Sequence, residues 1–202
     1  PLVKINGIEI LKRIMNLYAK YGYKDFILLG GYKYKDLKNF SNKQKNFNIT
    51  VLNTGLYTET ATRLLKAKKF IKGDFFLTYG DSLTDFNPKS AIEKKNKSKN
   101  AYIMCIYKYL LPYGALEIDK KKVNSFNEKS SYTNINAGFY TLDESVFSFI
   151  GKKNESFEKV TIKKILKSKK HKLLYNYVKF WHPMDTIADK KNLSLVLKNK
   201  KI

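Results

Sequence analysis

Some residue types are nearly missing from these 202 residues: one cysteine, one tryptophan, two histidines, four prolines and two arginines. The single cysteine, Cys105, excludes an internal disulfide. In the apolar run Tyr102-Ile103-Met104-Cys105-Ile106 it reads as a buried, reduced thiol, which points to the cytoplasm. No apolar run reaches the roughly 18 residues that a membrane span needs. The first residues do not have a signal-peptide layout, because Lys4, Glu9, Lys12 and Arg13 interrupt them. The histidines lack the neighbours of a catalytic or metal site. His171 lies in a lysine run, and His182 precedes a proline.

The shortage of arginine tempers the strongest compositional signal, a net charge of +23. Of 40 basic residues only Arg13 and Arg63 are arginine. Groove readers and phosphate clamps favour its planar fork over the point charge of lysine. The lysines are scattered over every segment among Asn and Ile, without the clustered basic face of a nucleic-acid binder. The expectation is no nucleic-acid partner and no membrane.

What is present is globular: 43% hydrophobic and 28% charged residues, in a length that fits one domain. Helical and extended patterns alternate, which predicts an α/β fold with a largely parallel sheet. A helical stripe (Ile10, Ile14, Leu17, Tyr18, Tyr21) covers 8–21 and stops at Gly22. A second (Ala61, Leu64, Leu65, Ile71) covers 60–72 and stops at Gly73. Strands are predicted at 26–29, 48–52, 75–79 and, centrally, 101–107. Asn87-Pro88 opens a helix. Beyond residue 110 short strands follow at 116–118, 123–126 and 135–141. Helices are expected near 143–150 and 158–168, a strand near 173–178, and a last helix over 186–199.

Four places could carry chemistry. In Thr78-Tyr79-Gly80-Asp81 a hydrophobic strand runs into Gly-Asp. Ligands in open α/β sheets bind outside the carboxyl ends of strands, and a carboxylate there can hold Mg²⁺ beside a phosphate. Asp81 can equally cap a turn; Asp85 serves the turn before Asn87. In Trp181-His182-Pro183-Met184-Asp185-Thr186 an acid precedes a helix, either as its N-cap or as a second metal carboxylate. Glu128-Lys129 follows a strand and could meet a phosphate. Asn136-Ala137-Gly138 precedes an aromatic strand, where a small pair lets a ligand approach the backbone and Asn136 could bond a hydroxyl-rich ligand or simply form a turn.

Each signal is weak alone, but their order and spacing together resemble the glucose-1-phosphate cytidylyltransferases along essentially the whole chain. The matching pieces are Pro1 to Gly7, Thr54-Gly55-Leu56 leading to Arg63, Thr78 to Asp81, Tyr113-Gly114-Ala115-Leu116, Val123 to Lys129, Ile135 to Phe139, and Trp181 to Thr186. The resemblance implies a mostly parallel, Rossmann-like nucleotidyltransferase sheet flanked by helices, with a small β-rich sugar-binding part. It implies CTP and a sugar 1-phosphate as substrates, Mg²⁺ as cofactor, a homo-oligomer, and a place in deoxysugar and cell-surface polysaccharide synthesis. Asp81 and Asp185 would hold the metal, and Lys129 would meet the sugar phosphate. Thr60, Arg63, Tyr79, Gly80, Tyr113, Gly114, Glu128, Asn136 and Gly138 would line the substrates.

The chain also departs from that pattern. The family's N-terminal strand and G-G-x-G-T-R loop would precede Pro1, so residues 1–202 are expected to be a single nucleotidyltransferase domain lacking both. An Arg-Phe-Gly is here Pro112-Tyr113-Gly114, the proline after Glu-Lys is Ser130, and Thr60-Ala61-Thr62 replaces a Thr-Gly-Gly stretch. These departures keep two alternatives open: another sugar phosphate or nucleotide as substrate, or a non-catalytic nucleotide-sugar-binding domain; the net charge supplies a third, a basic nucleic-acid-binding module, against which the scattered lysines argue.

Overall fold

The computed structural model describes residues 1–199. A short hairpin, β1 (Lys4–Ile5) and β2 (Ile8–Glu9), leads into α1 (Ile10–Ala19). Then come β3 (Asp25–Gly30), α2 (Tyr34–Asn42), β4 (Asn48–Asn53), α3 (Thr60–Ala67), β5 (Asp74–Thr78), β6 (Ser82–Thr84) and α4 (Pro88–Asn96). The second half holds β7 (Ala101–Leu110), β8 (Ala115–Asp119), β9 (Lys122–Asn127), β10 (Tyr132–Asp143), α5 (Lys163–Leu166), β11 (Lys172–Val178), β12 (Trp181–Pro183) and α6 (Ile187–Asn199). Among the described residues no helix is long and apolar enough to cross a membrane.

Local chemistry accounts for most of these elements. Ile10, Ile14, Met15 and Tyr18 recur at helical spacing in α1 and are all buried. The helix ends where Gly22 takes φ +90°, a left-handed conformation that costs glycine little. At α4, Asn87 Oδ1 accepts the Ser90 N–H at 3.0 Å and Pro88 begins the helix, as the Asn-Pro pair predicts. Helix α2 has no sequence forecast, because Phe40 is its one buried residue and two apolar anchors (Leu37, Phe40) make no stripe.

The main sheet has the order β11-β7-β10-β5. β11 runs parallel to β7, while β10 is antiparallel to both β7 and β5. Three strands therefore share one direction and β10 opposes them. Side chains alternate between faces, as the two-residue period requires. Phe76, Ile103, Cys105 and Phe139 join the core under α1 and α4; Phe75, Leu77, Tyr102 and Tyr140 join a second core with α3. β3 and β4 form a separate parallel pair.

Between β3 and β5 lies a cavity of about 600 Å³. Consecutive residues of both strands line it, Asp25 to Leu29 on one side and Asp74 to Thr78 on the other. A strand face would offer alternate residues, so the cavity is viewed by two strand edges. Ile14 and Tyr18 of α1 and Leu64 and Ala67 of α3 complete its walls.

The sequence expectations need several corrections. Ile8–Glu9 is extended, so the first helix begins at Ile10. Residues Glu144–Phe149 form a 3₁₀ turn, where Asp143 caps Ser145. Phe157–Ile162 is a wide π-type turn that continues into α5. Apolar spacing does not distinguish i+3, i+4 and i+5 hydrogen bonding over one or two turns. Opposite ends of β5 and β10 bring Asp74 level with Asp143, two like charges that would repel. Lys95 of α4 lies 2.7 Å from each carboxylate and ties that helix to the sheet.

Candidate active site

The carboxyl end of β5 delivers Tyr79, Gly80 and Asp81, and an antiparallel ribbon carries the chain onward. In that ribbon β6 pairs with β12: Thr84 opposite Trp181, Leu83 opposite His182, Ser82 opposite Pro183. The pairing continues past the strands, where the Met184 N–H donates to the Asp81 carbonyl at 2.8 Å. Asp185 is the next residue. The ribbon thus sets two distant acids side by side. Its far end is locked by Thr84 Oγ1 donating to Phe180 O at 2.8 Å, and by Asp85 accepting the N–H groups of Lys179 and Phe180 at 3.0 and 3.1 Å. Asp85 is a structural tie.

The electrostatics agree with this placement. The Asp81 carboxyl is held above its ordinary value, first by burial and then by the charge of Asp185; its own backbone N–H and the amine of Pro1 pull the other way. The ion pairs found among the described residues include neither acid. Helix capping, the competing role for Asp185, is carried by its neighbours. Asp189 Oδ2 accepts the Thr186 N–H at 2.9 Å and the Thr186 hydroxyl at 2.8 Å, while Thr186 Oγ1 accepts the Asp189 N–H at 3.1 Å. A half-buried carboxyl with a second carboxylate beside it suits a divalent cation. Among the described residues no third His, Cys, Asp or Glu completes a cluster with them. That is the donor set of Mg²⁺, which takes one or two carboxylates and fills its octahedron with phosphate and water.

Asn136 and Gly138 sit beside this pair, in a bulge of β10. The register jumps from Asn136 opposite Ile106 to Tyr140 opposite Met104. Asn136 Oδ1 accepts the Gly138 N–H at 2.9 Å, and its amide donates to the Tyr140 hydroxyl. Gly138 has φ +77°, and a Cβ there would meet the Tyr79 ring at 3.1 Å, so the position requires glycine. The Tyr79 ring packs edge-on against Tyr140, and its hydroxyl is buried without a hydrogen-bond partner among the described residues.

A second group gathers beyond the ends of β3 and β4. Arg63 of α3 donates to Thr54 Oγ1 at 2.5 Å and to Leu56 O at 3.2 Å. Its guanidinium lies so close over Gly31 that any Cβ there would come within 2.5 Å of it. Thr60 is a structural tie: Oγ1 accepts the Phe157 N–H at 2.8 Å and donates to Glu158 at 3.1 Å, which joins the start of α3 to the π-type turn.

The third group is separate. Tyr113, Gly114, Glu128 and Lys129 cluster at the base of the β8–β9 hairpin. Phe126 and Glu128 crowd Gly114, where an added Cβ would meet them at 2.3 and 2.9 Å. Lys129 is exposed, with Glu128 Oε1 4.0 Å away. No hydrogen bond or ion pair links this group to Asp81 or Asp185 among the described residues.

Sequence reasoning names Thr54 and Trp181 within matching segments but assigns neither a role: the buried Thr54 hydroxyl also donates to Gly30 O at 2.8 Å, and the Trp181 indole donates to Ala137 O at 3.0 Å. A lone threonine before glycine, or the chain's one tryptophan, carries no periodic signal. Both matter only through partners far along the chain.

Paired carboxylates beyond strand ends, a glycine-backed arginine and a bulge of small residues beside the acids suit an α/β protein that takes phosphorylated ligands. Residues 1–186 match the family described as nucleotidyl transferase, and the chain belongs to it. It is 31% identical over 220 residues to a glucose-1-phosphate cytidylyltransferase of Salmonella typhi, covering 94% of this chain and 84% of that protein. It is 33% identical over 212 residues to a probable glucose-1-phosphate cytidylyltransferase of Bacillus subtilis, covering 92% and 83%. Among solved structures, HddC from Yersinia pseudotuberculosis complexed with GMP-PN superposes with a TM-score of 0.75 at 23% identity, over 99% of this chain and 89% of that one. That likeness shows the shared fold.

Proposed function

We propose that the chain carries the catalytic face of a cytidylyltransferase that joins CTP to glucose 1-phosphate, giving CDP-glucose and pyrophosphate. The observation that carries this is the Asp81–Asp185 pair, brought together by the β6–β12 ribbon, with Asp81 held above its ordinary value by burial and by Asp185. The cytidylyltransferases of S. typhi and B. subtilis support CTP and glucose 1-phosphate as the substrates.

The reaction needs no general base, because the attacking sugar-phosphate oxygen is already anionic. It forms a bond to the α-phosphorus of CTP as the bond to the pyrophosphate oxygen breaks. Catalysis then rests on positioning and on neutralising charge at that phosphorus. Asp81 and Asp185 would hold Mg²⁺, which supplies this charge neutralisation when bound. Arg63, already locked by Thr54 and Leu56, offers a pre-oriented positive charge at the ends of β3 and β4. Lys129 reaches the sugar phosphate from the hairpin. Gly138, held at positive φ by Asn136, keeps the backbone beside Tyr79 open to the sugar.

The cleft between β3 and β5 has room for one more extended strand, which would pair both open edges and finish beside Gly80. It suits the strand and glycine-rich loop that the family resemblance implies ahead of Pro1.

The test is pyrophosphate release from CTP and glucose 1-phosphate with Mg²⁺, by residues 1–202 and by the same chain extended with a strand and glycine-rich loop before Pro1. Release by the extended protein, dependent on both substrates, is expected. An extended protein that folds and gives no sugar nucleotide with any nucleoside triphosphate would reject the reading.

A further inference from the structure

The β10 bulge touches both arms of the carboxylate site. Its Ala137 carbonyl accepts the Trp181 indole N–H at 3.0 Å. Its next carbonyl, Gly138 O, accepts the Tyr79 backbone N–H at 3.2 Å. Tyr79 is two residues before Asp81, and Trp181 is four residues before Asp185. Two successive carbonyls of one short segment therefore fix the two chain segments that bear the two acids.

In regular pairing successive carbonyls point to opposite neighbours, so with Gly138 O turned to the β5 side, Ala137 O would be committed to β7 and unable to meet the indole. Here the register jump leaves three residues of β10, Ala137 to Phe139, facing Cys105 alone, so their backbone is not committed to β7. Asn136 closes the bulge from within through Gly138 N–H and the Tyr140 hydroxyl. Tyr107 and Tyr109 flank the indole with ring centroids 5.9 and 6.5 Å away, which sets the direction of its N–H.

We propose that Trp181 and the Asn136-closed bulge act as a positioning clamp that sets the separation of Asp81 and Asp185. The inference rests on the carboxylate-pair reading above for its consequence, but the clamp itself is a statement about geometry. Neither Trp181 nor Asn136 needs to touch the cation. Their effect passes through the backbone of Tyr79 and through β12.

The chain has one tryptophan, so its indole N–H gives a single resolved NMR signal. In the full chain, Trp181→Phe keeps an aromatic ring beside Tyr107 and Tyr109 and deletes the N–H together with part of the indole's packing. Mn²⁺ affinity, read by water-proton relaxation, should fall by roughly three- to tenfold, the scale of one well-placed hydrogen bond. The thermal midpoint should fall by a few degrees, because the smaller ring fills less of the core. Asn136→Ala should weaken Mn²⁺ binding similarly and speed hydrogen exchange at the Trp181 indole, though the two side chains share no hydrogen bond. A Trp181→Phe protein that binds Mn²⁺ like the parent would overturn the clamp. So would unchanged indole exchange in Asn136→Ala. If the parent and Asp81→Asn bind Mn²⁺ alike, the metal reading fails instead, and the indole exchange still decides the clamp.

Discussion

The carboxylate site and the β8–β9 hairpin are built in opposite ways. Around Asp81 and Asp185, backbone and side-chain bonds converge from β5, β10, β6 and β12 on a few residues, and Phe86, Phe139 and Leu193 are buried beneath them. Among the described residues the hairpin is held by its own ladder. It turns Leu116, Ile118, Val123 and Phe126 outward, exposed by 51%, 67%, 59% and 61%. A two-stranded ribbon with an uncovered apolar side has little to hold it in one shape. The difference suits the chemistry proposed for each region. A small cation requires ligands at defined distances, which only an over-determined backbone provides. A lysine meeting a sugar phosphate acts as a point charge on a flexible stem and tolerates a looser support.

Several experiments would break or sharpen this contrast. The largest effect is expected at the rigid end: Asp81→Asn in a protein extended with the strand and loop should lower turnover by at least about 10²-fold. Normal turnover with unchanged Mg²⁺ dependence would end the metal assignment. Next is Lys95→Met, which leaves Asp74 and Asp143 facing each other without their cation. Urea unfolding should show a loss of about 2 kcal/mol, discounted for the partial exposure of both acids. Its pH dependence has a definite sign. Burial would raise the Asp143 carboxyl, but hydrogen bonds from Lys95 and Ser145 outweigh it and hold the group below 3.8. Burial would lower the Lys95 amine, but Asp143 and Asp74 hold it above 10.5. The depressed carboxyl stabilises the fold above its unfolded value, and that share is lost as the pH falls through its folded one. The raised amine stabilises the fold below its unfolded value, and that share is lost as the pH rises through its folded one. The Lys95→Met deficit should be full between about pH 4 and about pH 10 and shrink outside that window.

At the loose end, Lys129→Ala should raise KM for the sugar phosphate about tenfold and leave the KM for CTP near its parent value, the scale of one charge-assisted contact. Equal effects on both substrates would remove Lys129 from the sugar side. The smallest effect is expected from Ile118→Ser, within about 0.5 kcal/mol of the parent in urea unfolding. The fully buried Ile103→Ala should cost about 3 kcal/mol in the same assay. A large deficit for Ile118→Ser would show that the hairpin is covered, against the contrast drawn above.

Much of the fold was legible in local pattern. The stripe of α1, the strand Phe75 to Thr78 and the Asn87-Pro88 start of α4 all appear within a residue or two of their expected bounds. Helix α2 was not legible, because Lys, Asn and Tyr fill it and Phe40 alone is buried. The six-residue 3₁₀ and π segments read as α-helix in the sequence, since their apolar spacing is the same over so short a length. At the site, Asp81 stood out by its place after a hydrophobic strand. Thr54 and the indole of Trp181 did not, because their roles are hydrogen bonds across the fold.

By itself the sequence determined the periods of its helices and strands, the caps that start and stop them, and the acids available for a cation. Those are short-range matters of side-chain shape and backbone bonding, complete within a few neighbouring residues. Only the tertiary structure decided that β10 runs against its neighbours, that its bulge holds two loops at once, and that Asp81 meets Asp185. Such facts depend on strand register and long-range pairing, which a local pattern allows in several forms and the packed core reduces to one.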